Sequence, residues 1–380
     1  MIAPNLLQII VVGAGLIGPR HALHVSNNPQ TDLFAIIDPN PATADVAETF
    51  NTLYFPSIES CMKYCDENSI PYPDGAIVCT PNHTHVSVGA ELASYGIHLL
   101  VEKPIGSTPE DAKALKHYCE IKNVKVLVGH HRRFNPYILT TKKNLSKVGQ
   151  IIAIQGSWML SKPQEYFDIS PWRKNTSTGG GVLLINLVHD LDLLQYMFGR
   201  IQRIYVELLL QQRTHEADEG AALTIKFESG VTGTFICSDN VVSPFNFESG
   251  TGENPTIPQN QGVSGIYRIF GSKGTLSMPD MKLYHQDKGV TSSWTNPINE
   301  TVIELDLDKL PFDSQLEHFI DLIRGNVKEP WCSIDDGISA LLCIDAVMRS
   351  IESDMPVKVQ DIKSVSADYK KLGIDQGVFM

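Results

Sequence analysis

Short apolar runs alternate with helical patterns over the first 130 residues of the chain. Five runs of β-branched and aliphatic residues have the length of buried strands: Gln8–Val12, Leu33–Ile37, Ala76–Cys79, His98–Val101 and Val124–Val128. Four segments between them have helical spacing: Gly18–Asn27, Pro41–Phe50, His85–Tyr95 and Pro109–Cys119. Near-continuous apolar strands that alternate with helices are typical of a parallel sheet covered on both faces. We therefore predict a doubly wound α/β domain over residues 1–130.

The pattern changes in residues 131–380. A long helical segment, Val182–Phe198, precedes five strand-like runs: Arg203–Leu210, Ala222–Phe227, Val231–Cys237, Tyr267–Phe270 and Gly274–Met278. A turn at Glu228–Gly230 predicts a hairpin, and two helices close the chain, Phe312–Arg324 and Ile334–Ile351. The Pro/Gly/Asn-rich segment 243–262 is too irregular for the core, so we expect a long loop there. These elements predict a second domain of the α+β class over residues 131–380.

Composition and charge limit which partners and cellular environment we expect for this protein. The net charge is −12, and no cluster of basic residues exceeds a pair, so we expect no nucleic-acid partner. No apolar run reaches the roughly 18 residues of a membrane span. The seven cysteines contain no CxxC pair, and Met1–Leu7 carries no basic residue, which favours reduced thiols in a cytoplasmic protein. The pairs of neighbouring histidines lack carboxylate or thiolate partners, and we expect no metal site.

A glycine motif follows the first predicted strand and opens the first helix. It consists of Gly13, Ala14, Gly15, Leu16, Ile17 and Gly18. In such a motif the glycines permit a tight turn, close approach of a pyrophosphate and close packing of helix on strand. Asp38 ends the second predicted strand, where a carboxylate binds ribose hydroxyls and repels a 2′-phosphate. The pattern predicts a dinucleotide site that prefers NAD over NADP.

Further motifs follow in order along the chain. They are Thr80-Pro81-Asn82-His83-Thr84-His85, Glu102-Lys103-Pro104, His131-Arg132-Arg133-Phe134-Asn135-Pro136, Trp172-Arg173, Gly179-Gly180-Gly181, His189-Asp190-Leu191-Asp192, Phe270–Leu276 and Ile334–Gly337. With the glycine motif, this ordered set resembles the Gfo/Idh/MocA (glucose-fructose oxidoreductase / inositol dehydrogenase) family over nearly the whole chain.

The resemblance implies a Rossmann domain followed by a domain with a largely antiparallel, mixed open sheet that makes a homodimer or homotetramer. It implies an oxidoreductase acting on a sugar, polyol or cyclitol-like molecule. It also implies contacts to the cofactor, in addition to the glycine motif and Asp38, from Thr80, Pro81, Asn82, His85, Glu102, Lys103, Trp172 and Arg173. Substrate contacts are expected from Lys103, His131, Arg132, Trp172, Asn186, His189 and Asp190.

Hydride transfer at a carbinol carbon requires proton movement at its oxygen. Lys103 follows an apolar strand, at the sheet edge where ligands bind, and we expect it to be the acid/base, assisted by His189. On a regular helical wheel, Asn186, His189 and Asp190 share one polar face. The alternatives are a solvated strand-end lysine and a histidine packed in the core.

One position departs from the family pattern. Many relatives carry an Asp four residues before this histidine, but Ile185 stands there in this chain, and Asn186 cannot exchange a proton. Two other functions therefore stay open: a reductase of a non-sugar carbonyl, such as a diketone or dihydrodiol type, and a catalytically silent dinucleotide-binding regulator.

Overall fold

A computed structural model of the chain describes residues 6–307 and 309–373. The described residues form two compact units. Residues up to His131, Phe312–Leu341 and those from Asp361 onward form the first unit, while Arg132–Pro311 and Leu342–Gln360 form the second. The predicted boundary at residue 130 divides the chain at a single point. In the structure, segments from later in the chain also belong to the first unit. No helix among the described residues is long and apolar enough to cross a membrane.

The first unit contains a parallel sheet of six strands. They are β1 (Leu7–Val12), β2 (Thr31–Ile37), β3 (Leu53–Phe55), β4 (Gly75–Val78), β5 (His98–Val101) and β6 (Val126–Val128). Their order is β3-β2-β1-β4-β5-β6, and every pairing is parallel. This is the doubly wound order of dinucleotide-binding domains, as the alternating pattern predicts.

Five helices follow these strands along the chain. They are α1 (Gly18–Asn27), α2 (Ala44–Thr49), α3 (Ile58–Asn68), α4 (His85–Ser94) and α5 (Pro109–Ile121). Pro109 opens α5 behind a Thr108 cap, because proline is tolerated where no backbone N–H is needed. The sequence analysis missed β3 and α3: β3 has only three residues, which are exposed or half-buried.

The second unit contains a nine-stranded mixed sheet. Its strands are β7 (Ile151–Met159), β8 (Ile201–Leu208), β9 (Gly220–Phe227), β10 (Thr232–Ser238), β11 (Tyr267–Gly271), β12 (Gly274–Met278), β13 (Lys282–His285), β14 (Asn299–Val302) and β15 (Val357–Lys358). The order is β14-β13-β12-β11-β7-β10-β9-β8-β15. Only the β7–β10 pairing is parallel; the other pairings are antiparallel. This confirms the largely antiparallel, mixed sheet.

The remaining helices are α6 (Pro136–Asn144), α7 (Gln164–Asp168), α8 (Val188–Phe198), α9 (Phe247–Thr251), α10 (Pro311–Arg324) and α11 (Ile334–Ser353). A capping arrangement of Ser333 and Asp336 precedes α11. The Ser333 backbone N–H donates to Asp336 Oδ2 over 2.8 Å, and the Asp336 N–H donates to Ser333 Oγ over 3.2 Å.

Two predictions about the second unit are wrong. The segment predicted as one regular helix over Val182–Phe198 begins with a π-helical turn, Leu183–Leu187. Asp218 accepts the Leu183 N–H over 3.0 Å at its start, and the 3.6-residue wheel does not hold across it.

Segment 243–262 is not confined to the surface. Asn246 and Phe247 are fully buried, and Glu248 is 7% exposed. A short helix capped by the Asn246 side chain forms here, which satisfies backbone groups and allows burial of a segment with turn-like composition.

Candidate functional site

The glycine turn connects β1 to α1. Gly13 has φ +94°, and a Cβ there would lie 2.7 Å from the Cys79 carbonyl carbon, while a Cβ on Gly18 would lie 2.0 Å from the Gly13 oxygen. A Cβ on Gly15 would meet no atom within 4 Å. Gly13 and Gly18 therefore hold the turn against the sheet, whereas the backbone at Gly15 faces open space, which fits the close approach of a phosphate.

Asp38, at the end of β2, holds this turn. Its Oδ2 accepts the Ala14 N–H over 2.7 Å, and its Oδ1 accepts the Asn40 N–H over 2.9 Å. Because each carboxylate oxygen accepts more than one hydrogen bond, these contacts leave capacity for ribose hydroxyls. The predicted ribose contact stays a prediction.

The segment after β4 has one exposed and one buried part. Pro81 and Asn82 are exposed, while His85 is only 1% exposed. The His85 ring lies 2.8 Å from the Thr80 carbonyl oxygen and 2.7 Å from that of Pro104. Burial lowers the pKa of His85, and a neutral ring donates to one carbonyl at a time. His85 thus links the loops after β4 and β5, and the cofactor contact expected of it stays a prediction.

The residues after β5 contain a buried carboxylate, Glu102, that lies against a histidine of α1. Glu102 Oε1 lies 2.8 Å from His21 Nε2 of α1, and its Oε2 accepts the Lys103 backbone N–H over 3.2 Å. Burial alone would raise the pKa of Glu102, but the hydrogen bond and charge of His21 outweigh it and hold this pKa at about 2. Glu102 is therefore an ionised group that fixes the backbone of Lys103. Lys103 itself is half-buried.

His131, after β6, packs on the last helical segments of the first unit. Its ring stacks on Phe312 with centroids 4.7 Å apart, and the His21 ring contacts the same Phe312 edge-on at 5.0 Å. The Arg20 guanidinium lies 4.0 Å from the Phe312 centroid. Sequence analysis did not select His21, because a histidine in a helix carries no motif.

These groups share one edge of the first sheet. The glycine turn, Asp38, Thr80, Lys103 and His131 each follow a different strand at its carboxyl end. All strands are parallel, so these residues lie along the edge where open α/β sheets bind ligands.

In the second unit, Arg132 and Asp190 belong to a buried ion cluster. Arg132 lies 2.5 Å from Glu248, 2.9 Å from Glu253 and 3.9 Å from Asp190. Tyr267 donates a hydrogen bond to Asp190, which is fully buried. Burial raises the pKa of Asp190 to about 7 against the charge of Arg132. The structure thus places both residues in an internal network, and the substrate contact expected of them stays a prediction.

His189 lies next to this cluster on α8 and is 7% exposed. Asn186 lies in the π turn before it, and its Oδ1 accepts a hydrogen bond from Lys162 Nζ over 2.7 Å. The sequence analysis missed Lys162, since a lone lysine after an unpredicted strand gives no signal.

Trp172 and Arg173 lie in a short 3₁₀ turn, Pro171–Lys174. Trp172 is 43% exposed. Arg173 donates to the Tyr166 carbonyl oxygen over 2.6 Å, and its guanidinium lies 3.8 Å from the centroid of the Tyr166 ring. An exposed indole beside a fixed guanidinium can stack on a flat ligand.

Within residues 6–307 and 309–373, no group of three or more His, Cys, Asp or Glu side chains has a geometry suited to a metal ion.

Comparisons with known proteins give the family. Two family models match, described as the oxidoreductase family's NAD-binding Rossmann fold over residues 7–130 and its C-terminal alpha/beta domain over residues 142–359. An inositol 2-dehydrogenase of Rhizobium meliloti (strain 1021) is 22% identical over 92% of this chain and 98% of its own. A levoglucosan dehydrogenase of Pseudarthrobacter phenanthrenivorans is 25% identical over 71% of this chain and 72% of its own.

Among solved structures, the WlbA dehydrogenase from Bordetella pertussis, in complex with NADH and UDP-GlcNAcA, shares the fold. Its TM-score is 0.72 at 21% identity, over 94% of this chain and 100% of that one. The two family models together span most of the chain, in the order in which its two domains occur. The chain therefore belongs to the Gfo/Idh/MocA family and is an NAD-binding oxidoreductase of that family.

Proposed function

We propose that the protein transfers hydride between C4 of a nicotinamide and a carbinol or carbonyl carbon of a sugar, polyol or cyclitol-like molecule. The observation that carries the proposal is the position of a half-buried Lys103 at the same sheet edge as an intact glycine turn. The similarity to inositol and levoglucosan dehydrogenases supports a polyhydroxylated substrate.

The first unit would hold the dinucleotide. The turn from Gly13 to Gly18, including the backbone of Leu16 and Ile17, would hold the pyrophosphate at the start of α1. That helix has no acidic residue in its first turn, which favours a phosphate at its start. Asp38 would bind the adenosine ribose and favour NAD over NADP. Exposed Pro81 and Asn82 would line the remainder of the cofactor site, and the bound nicotinamide would supply or accept the hydride.

Lys103 would move the proton. Its amine would take the proton from the substrate hydroxyl during oxidation and return it during reduction. Glu102 would act on this step indirectly, by fixing the backbone of Lys103. In the second unit, His189 would hydrogen-bond a substrate oxygen, and the Asn186 amide would bind a neighbouring hydroxyl.

The other predicted residues divide into two groups. Trp172 offers an exposed ring for stacking on the nicotinamide or the sugar, with Arg173 beside it, and His131 would border the site near Lys103. Arg132 and Asp190 are left out of the proposed substrate site, because Arg132 pairs with Glu248 and Glu253 and Asp190 accepts a hydrogen bond from Tyr267.

Turnover tests this proposal directly. NADH formation at 340 nm is followed for a panel of sugars, polyols and cyclitols with the wild type, Lys103→Met and Lys125→Met, an exposed lysine of the same unit. We expect Lys103→Met to lower kcat by about 10²-fold or more with NAD affinity nearly intact, and Lys125→Met to behave as wild type. NAD binding without turnover of any panel member would contradict the proposal and favour a silent regulator.

A further inference from the structure

Lys162 is a buried cation beside the proposed substrate residues of the second unit. It follows β7, and its backbone N–H donates to the Asp239 carbonyl oxygen over 2.9 Å. Asp239 follows β10, the parallel neighbour of β7, so both residues lie at the same edge of the mixed sheet. The Lys162 side chain is only 8% exposed, and Nζ lies 2.7 Å from Asn186 Oδ1 and 3.2 Å from Asp239 Oδ2.

Neutralising Asp239 does not require Lys162. Arg213 already binds this residue twice, from Nη1 to Oδ1 and from Nη2 to the backbone oxygen, each over 2.6 Å. Lys162 and Arg213 therefore both contact Asp239, while Glu219 lies within electrostatic range of Arg213 and Glu248 within that of Lys162. Burying an ammonium costs several kcal/mol unless its charge is matched, so a purely structural side chain here would more cheaply be apolar.

The nearby Glu248 is also occupied. One of its oxygens accepts from Trp158 Nε1 over 2.8 Å, and the other lies 2.5 Å from Arg132. Two aromatic rings also lie near Lys162 Nζ, with the Tyr166 centroid at 4.7 Å and the Trp158 centroid at 5.7 Å. Aromatic faces stabilise a cation without accepting its hydrogen bonds in full.

An ammonium has three N–H donors, and among the described residues Asn186 and Asp239 accept two of them. We propose that the third donor of Lys162 binds a carboxylate oxygen of the substrate, so that the protein prefers a sugar acid over the corresponding neutral sugar or polyol. The inference rests on the proposed function and specifies its substrate class.

Two further observations support it. Burial lowers the pKa of Lys162 more than Asp239 raises it. An anion bound nearby would therefore stabilise the charged ammonium. In addition, Asn186, three residues before His189, accepts the hydrogen bond of Lys162 with its side-chain oxygen. Its amide NH₂ would then donate to a substrate hydroxyl. A carboxylate and a hydroxyl on one small molecule match this pair of donors.

The test compares acids with their neutral counterparts. kcat/KM is measured for D-gluconate and D-glucuronate against D-sorbitol and D-glucose, in wild type, Lys162→Met and Lys162→Arg. The control is Lys174→Met, which removes a lysine of the same unit that pairs with Asp168 over 2.7 Å at 29% exposure. We expect Lys162→Met to lower kcat/KM for the acids by about tenfold or more and for the neutral compounds by less than about threefold, with Lys162→Arg in between and Lys174→Met unchanged.

If the ratio of kcat/KM for acids to that for neutral compounds is the same in wild type and Lys162→Met, the inference is overturned. The proposed function then stays intact as long as both proteins turn over the substrates. Binding is read independently, as the rise in Tm that D-glucuronate causes with NAD present. A rise in wild type that is lost in Lys162→Met supports the inference even without turnover, in which case only hydride transfer is refuted. If Lys162→Met fails to fold, Lys162→Gln, which keeps a hydrogen-bond donor and removes the charge, decides in the same way.

Discussion

The buried Glu102 carboxylate makes a quantitative prediction about pH and stability. Its pKa falls from an ordinary value of 4.5 to about 2 in the folded protein, which corresponds to roughly 3 kcal/mol of stability at neutral pH. Because the folded pKa is depressed, this contribution is complete above pH 4.5 and declines as the pH falls towards 2. At pH 3 roughly 1 kcal/mol remains. Glu102 is nearly excluded from water, so solvent screening removes little of this stabilisation.

Glu102→Gln tests this value because it keeps the shape and removes the charge. The free energy of unfolding of both proteins is measured by urea denaturation between pH 3 and pH 8. We expect the variant to be less stable by roughly 2 to 3 kcal/mol at pH 7, with the gap narrowing by about 2 kcal/mol at pH 3. Glu120→Gln, at a mostly exposed carboxylate near Lys116, should shift stability by less than about 0.5 kcal/mol. A gap that stays constant with pH would refute the reasoning.

Three further predictions concern the cofactor turn and the ion cluster. Gly18→Ala, whose Cβ would lie 2.0 Å from the Gly13 oxygen, should abolish NAD binding in calorimetry. Gly15→Ala adds a methyl group to open space, so weaker NAD binding by this variant would show that the pyrophosphate lies there. Asp38→Ala should shift the ratio of kcat/KM for NAD and NADP towards NADP; an unaltered ratio would assign ribose recognition to another residue. Asp190 has a folded pKa raised to about 7, so stability falls as the pH rises from about 4 to 7, and Asp190→Asn should flatten this dependence in thermal melts. An unchanged slope would count against a neutral Asp190.

The doubly wound unit could be predicted from the sequence because its strands are local signals. β1, β4 and β5 are apolar runs bounded by helical patterns, and parallel strands buried on both faces need no partner information to be identified. β7 was missed because its burial does not follow hydrophobicity: Gly156 is buried, whereas Ile152 is 60% exposed. Its position beside β10 also depends on a crossover distant in sequence. The motifs located Lys103 and His189, but they gave no sign of the ion pairs of Glu102 and Arg132. Those pairs join residues 81 and 116 positions apart, and no single-sequence pattern records such distances.

The widened turn at Leu183–Leu187 affects how this chain is aligned with its relatives. A π turn accommodates one residue more than a regular helix over the same rise, and each residue of an α-helix adds about 100° of rotation. The residue four positions before His189 therefore lies on a different side of the helix from the equivalent residue in a relative whose helix is regular. The equivalent residue is Leu184 or Ile185, depending on where the additional residue is placed, and neither is acidic. The absence of an acidic residue from Leu183–Leu187 is thus independent of the alignment, and a second proton-exchanging group would come from another part of the chain.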